Sequence, residues 1–238
     1  MQKLTSELKS VLYQNGAALI GCADLSEVIT SDLKYGVSIV MPVKGHIVEE
    51  IMEGPTEAYF DDYQDLEKRL SKATLCGEAF LKGHGYQAYV QTPQRVRENE
   101  DWRTELPHKT VATNAGIGWI GKSCLLVTEE FGSAIRLSSI LTNAPLICDA
   151  RISESRCGEC RKCVDSCPAQ ALSGVTWHVG VDRDEILMNK EACVEKQVEL
   201  TRKNIGYEAE FLCGKCFAVC PYTQRYIKKM HSQYAGCS

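Results

Sequence analysis

The sequence predicts an α+β fold in two parts: a mixed domain over residues 1–150 and a loop- and helix-rich domain over 151–238. Two observations predict it. In the first 150 residues, stretches with helical spacing are interspersed with short apolar runs bounded by turn residues. Of the thirteen cysteines, eight crowd between Cys157 and Cys220, where the spacing of apolar residues no longer sets the pattern.

The elements follow in order. Residues 2–14 read as a short amphipathic helix that stops at Asn15-Gly16. Residues 17–22 and 37–43 read as strands, and 57–81 as a long helix with no proline, ended by Gly83-His84-Gly85. Residues 86–90 read as a strand, 92–105 as a polar loop and 109–115 as a helix. Residues 124–128 and 135–141 are strand-like. The domain boundary is expected in the polar stretch 149–156.

Composition narrows the function classes. A net charge of −4 speaks against a broad nucleic-acid footprint, which needs clustered Lys and Arg. The N-terminal residues lack the apolar segment of a secretory signal, and no apolar run is long enough to span a bilayer. A cytoplasmic location away from membranes is therefore expected. In a reducing compartment, clustered cysteines bind metal more often than they form disulfides.

The first cysteine run is Cys157-x2-Cys160-x2-Cys163-x3-Cys167-Pro168. This is the bacterial ferredoxin spacing, in which the fourth cysteine serves the other [4Fe–4S] cluster. Three cysteines two residues apart wrap one cubane, and the proline turns the chain away. The second run, Cys213-x2-Cys216-x3-Cys220-Pro221, lacks one ligand, and the solitary Cys193 supplies it. The expected sets are Cys157, Cys160, Cys163 and Cys220 for one cluster, and Cys167, Cys193, Cys213 and Cys216 for the other. Zinc is the competing reading, but zinc sites use two pairs per metal and have no need of the C-x3-C-P tail. The remaining five cysteines read as small buried hydrophobes, with Cys237 a free thiol at the tail.

Residues 116–123, Gly-Ile-Gly-Trp-Ile-Gly-Lys-Ser, fit both G-x-G-x-x-G and G-x-x-x-x-G-K-S. Both nucleotide motifs need a strand before and a helix after, so that helix amides face the phosphates. Here the order is reversed and Trp119 fills the loop, so nucleotide binding is rejected.

The segment from Ala115 to Lys122, followed by Leu125-Leu126, Gly132-Ser133 and Leu141-Thr142, resembles epoxyqueuosine reductase, and the cysteine order fits as well. The resemblance runs from about residue 10 to about 225. It implies a nitroreductase-like, cobalamin-type domain followed by a ferredoxin-like double [4Fe–4S] domain. The clusters would feed electrons to cobalt, as in the related reductive dehalogenases. It also implies that Gly118, Trp119, Gly121, Lys122 and Ser123 lie against the corrin, with Arg136, Ser138 and Ser139 close by. The family's acidic proton donor has no Asp here; Glu105 or His108 would take that role. The family's C-terminal helical repeats are not in this sequence, which together with the acidic charge speaks against tRNA and for a small-molecule substrate. A ferredoxin or flavodoxin would be the electron donor.

Two alternatives stay open. In one, the protein is an electron-transfer module whose first domain binds a partner enzyme. In the other, a flavin replaces the corrinoid.

Overall fold

The computed structural model describes residues 1–92, 95–96, 104–181, 188–209 and 212–235. The chain forms two compact units that are interleaved along the sequence. The first holds residues 1–42, 66–118 and 136–153; the second holds 43–65, 119–135 and 154–238. The expected division at residue 150 is a single cut, whereas 43–65 and 119–135 group with the cysteine-rich segment. Such grouping depends on contacts distant in sequence, which local composition does not record.

In chain order the elements begin with α1 (Gln2–Gln14), β1 (Leu19–Asp24), β2 (Tyr35–Pro42), α2 (Gly45–Glu50) and α3 (Glu57–Gly83). They continue with β3 (Ala88–Val90), α4 (His108–Asn114), β4 (Trp119–Ile120), β5 (Leu126–Val127) and β6 (Ile135–Thr142). The cysteine-rich segment adds α5 (Lys162–Asp165), α6 (Lys190–Ile205), α7 (Lys215–Ala218) and α8 (Pro221–Ala235). Part of the expected 92–105 loop lies outside the described residues.

The first unit is built on a four-stranded sheet in the order β1-β2-β6-β3. β1 and β2 pair antiparallel, Leu19 against Val40 through Asp24 against Tyr35, and β3 pairs antiparallel with β6. β2 is buried from Gly36 to Met41, so it reads as a continuous apolar run rather than an alternating one. Leu8 and Leu12 of α1, four apart on one helix face, are fully buried. Gly77 of α3 lets that helix come close: a Cβ there would meet Ile140 at 2.6 Å and Leu12 at 2.9 Å. A second cluster, Ala23, Leu25, Leu106, Val111 and Ala115, seats α4.

The second unit has little sheet: β4 and β5 form a two-stranded ribbon, Trp119 opposite Val127. Aromatic edges knit its helices and loops. Tyr59 meets Phe217 and Phe131 meets Tyr226, with ring centroids 5.9 and 5.2 Å apart. The Tyr226 hydroxyl donates to the Val43 carbonyl at 3.0 Å. The expected strand 124–128 is only Leu126–Val127, because Cys124 adopts φ +60 and turns the chain before it.

Among the described residues, no helix is long and apolar enough to cross a membrane.

Candidate metal centre and cofactor residues

All eight clustered cysteines belong to the second unit. The first run forms a loop with a left-handed residue at Gly158 (φ +52), then the single turn α5 carries Cys163. Cys193 lies on α6, whose N-terminus is capped by the Asn189 side chain accepting from the Ala192 amide at 3.0 Å. Gly214 (φ +71) lets the chain turn into α7, which carries Cys216.

Electrostatics sorts these thiols into two neighbourhoods. Burial, reinforced by the nearby thiols of Cys157, Cys220 and Cys160, pushes the Cys163 thiol up to about 11. Cys220 is raised by burial and by Cys157 and Cys160. Cys193 is raised by burial and by Cys167, and Cys213 by burial and by Cys193 and Cys167. Cys216, raised by burial, Cys213 and Cys193, also senses Cys163, so the two neighbourhoods adjoin. Packing partly buried thiols this closely opposes their ionisation, and an iron cluster relieves that by neutralising the thiolates. Among the described residues, no three His, Cys, Asp or Glu side chains are grouped as they would be around a single metal ion. A cubane is larger and holds its four thiolates farther apart.

Some contacts around the thiols were not expected from sequence. Gln197, one helical turn after Cys193, donates to its Sγ at 3.1 Å, and the Ala171 amide donates to Cys167 Sγ at 3.4 Å. The first was legible in principle, as an i,i+4 pair on a helix. Outside the clustered set, Cys22 is fully buried, with its thiol pushed up to about 12 by burial. Cys76, Cys124 and Cys148 are half-buried, and Cys237 lies outside the described residues.

The residues expected to touch a corrin fall into two groups, one in each unit. In the second unit, Trp119 is completely buried in β4, and Lys122 and Ser123 are buried in the following turn. Lys122 Nζ donates to the Gly158 carbonyl at 2.7 Å. A Cβ on Gly121 would meet Val127 at 2.8 Å and Cys157 Sγ at 3.5 Å. Arg156 sits 5.3 Å from the centre of the Trp119 ring, and Tyr222 meets that ring edge-on at 4.9 Å. This half of the glycine segment is packed around the first cysteine loop. Gly118 is the last residue of a first-unit stretch.

In the first unit, the residues form a directed hydrogen-bond chain. Gln91 Nε2 donates to the Leu106 carbonyl at 2.9 Å, which leaves its Oε1 to accept from the Ser139 hydroxyl at 2.5 Å. Ser139 has then used its one proton, so the 2.7 Å contact with His108 must be an Nδ1–H donating to Ser139 Oγ. His108 is thereby held as the Nδ1–H tautomer, with Nε2 as an acceptor. Burial, helped by the Arg136 charge, lowers its pKa to about 4. A ring that is neutral at pH 7 is poorly set for the proton-donating role expected of it. Glu105 is exposed. Arg136 pairs with Glu67 at 3.3 Å, and the Ser138 hydroxyl donates to the Gln91 carbonyl at 3.4 Å. Ser138, Ser139 and Gln91 are buried, and the half-buried His108 and Arg136 are the donors and acceptors that suit the amide-bearing rim of a corrinoid; the second-unit group is already committed to the cysteine loop.

Residues 156–223 match the family described as the 4Fe-4S double cluster binding domain. The chain is 48% identical to the epoxyqueuosine reductase of Bacillus anthracis over 68 residues, 29% of this chain and 18% of that protein. It is 43% identical to that of Bacillus subtilis strain 168 over 138 residues, 52% of this chain and 33% of the relative. The chain thus spans well under half the length of these curated relatives. A catabolic reductive dehalogenase matches with a TM-score of 0.70 and 18% identity, over 91% of this chain and 31% of the other. An epoxyqueuosine reductase solved with a tRNA-Tyr epoxyqueuosine-modified stem loop matches with a TM-score of 0.59 and 23% identity, over 94% of this chain and 66% of the other. That complex overturns the expectation against tRNA: a net charge summed over a chain does not describe the local surface that meets a stem loop. The resemblance expected from the glycine segment and the cysteine order is borne out, and the chain carries a double [4Fe–4S] domain in the fold of epoxyqueuosine reductases and reductive dehalogenases.

Proposed function

We propose that the chain is an iron–sulfur reductase that moves electrons through two [4Fe–4S] clusters to a corrinoid and acts on an epoxyqueuosine-type group carried by tRNA. The observation that carries this reading is the match of residues 156–223 to the double-cluster family, with all eight clustered cysteines in one compact unit. The proposed sets are Cys157, Cys160, Cys163, Cys220 and Cys167, Cys193, Cys213, Cys216. The corrinoid, when bound, supplies a strongly reducing metal centre. His108, Arg136 and Ser138 would meet its rim. His108 keeps one proton on Nδ1 against Ser139, and its neutral ring leaves Nε2 as an acceptor. Glu105 lies exposed three residues before His108. Arg225, Lys228 and Lys229 are exposed on α8 and offer phosphate contacts to RNA. The similarity of both curated relatives to this chain supports the substrate class.

The test is reconstitution without oxygen using iron, sulfide and hydroxocobalamin, followed by desalting and metal analysis. About eight irons and about one cobalt per chain are expected. The loaded protein is then given dithionite and an epoxyqueuosine-modified stem loop, and the RNA is followed by mass spectrometry for loss of the epoxide oxygen. Full iron without cobalt would leave an electron-transfer protein without chemistry of its own. Bound cobalt without turnover would reject the substrate class alone.

A further inference from the structure

We propose that the indole N–H of Trp119 donates a hydrogen bond to a sulfur of the first cluster and raises that cluster's reduction potential. The inference rests on the two-cluster reading and goes beyond it by assigning a tuning group. Trp119 is completely buried, and its Nε1 has no hydrogen-bond partner among the described residues. Buried tryptophan N–H groups nearly always find an acceptor, so an orphan of this kind calls for one.

The surroundings indicate which acceptor. Across the ribbon, Trp119 faces apolar Val127. Its ring is flanked by Arg156 and Tyr222. Arg156 directly precedes Cys157, and Tyr222 follows Cys220 by two residues, so the indole lies between the chain neighbours of two thiols assigned to one cluster. Two residues beyond Trp119, the space a Gly121 Cβ would take borders Cys157 Sγ at 3.5 Å. The short strand therefore runs along this ligand set, and the acceptor that the cluster adds there is a sulfide sulfur. A hydrogen bond to sulfur stabilises the more negative, reduced cluster and raises the potential.

The experiment uses full-length protein reconstituted with iron and sulfide, with tryptophan labelled by ¹⁵N in the indole, and reduced with dithionite. Pulsed EPR is expected to find an exchangeable proton and a ¹⁵N coupled to one reduced cluster. Trp119→Phe keeps a ring and removes the N–H. It is expected to retain full iron, lose that coupling and lower one of the two midpoint potentials. Trp177→Phe should leave both readings unchanged. Unchanged potentials in a fully loaded Trp119→Phe protein, or no ¹⁵N coupling in the wild type, would overturn the proposal. If the variant fails to load iron, the wild-type coupling alone decides. Absence of any reduced-cluster signal in the wild type would instead reject the two-cluster reading.

Discussion

Lys122 Nζ and the Gly158 carbonyl are 2.7 Å apart, which ties the end of the glycine segment to the loop between Cys157 and Cys160. Hydrogen bonds from charged donors contribute about 1.5–3 kcal/mol, and this one is shielded, since Lys122 is only 8% exposed. Lys122→Met is expected to speed chelator-driven loss of roughly half the iron by about tenfold or more, while the other half leaves at the wild-type rate. Iron release timed against an absorbing chelator checks it.

His108 makes stability depend on pH in a defined window. Its pKa is lowered from 6.5 to about 4 in the folded chain. Above pH 6.5 the ring is neutral in both states and contributes no slope. As pH falls from 6.5 to 4, the unfolded chain takes up a proton that the folded chain refuses, so stability drops by up to about 3 kcal/mol and then levels off. His108→Gln should flatten this part of the profile. Urea unfolding at several pH values measures it; an unchanged slope in the variant would place the titration elsewhere.

Cys193→Ala tests the ligand pairing. Iron should fall from about eight to about four per chain, with one EPR signal kept. Retention of all the iron would break the proposed sets.

Gly132 has φ +60, and a Cβ there would come within 2.2 Å of the Thr223 amide nitrogen. The next residue's amide donates to the Thr223 hydroxyl at 3.1 Å, so the β5–β6 turn is pinned to the start of α8. Gly132→Ala is expected to destabilise by about 2–3 kcal/mol or more, through both backbone strain and overpacking. Thermal unfolding of the reconstituted protein measures this.

The legible parts of the molecule were those written in local spacing. The helix at Gln2–Gln14, the long helix from Glu57 and strand β6 fall within a few residues of their expected places. The order of elements around the glycine segment was also legible: α4 precedes it and a β-ribbon follows, the reverse of strand, loop and helix. The cysteine order was legible for the same reason: ligands two or three residues apart must wrap something compact. The hydrogen-bond chain from His108 to Gln91 was not, since it joins residues from separate parts of the sequence. Nor was the burial of Trp119, whose neighbours Arg156 and Tyr222 are distant in sequence.

The second unit is stitched from three stretches, 43–65, 119–135 and 154–238. Its earliest pieces leave the ribosome long before Cys213, Cys216 and Cys220 exist, and they must wait for partners that lie far along the chain. A cluster inserted during translation would therefore meet an unfinished cradle. Iron delivery is best timed after those cysteines have emerged, and excision at residue 154 would yield a peptide with cysteines but without the walls that shape them.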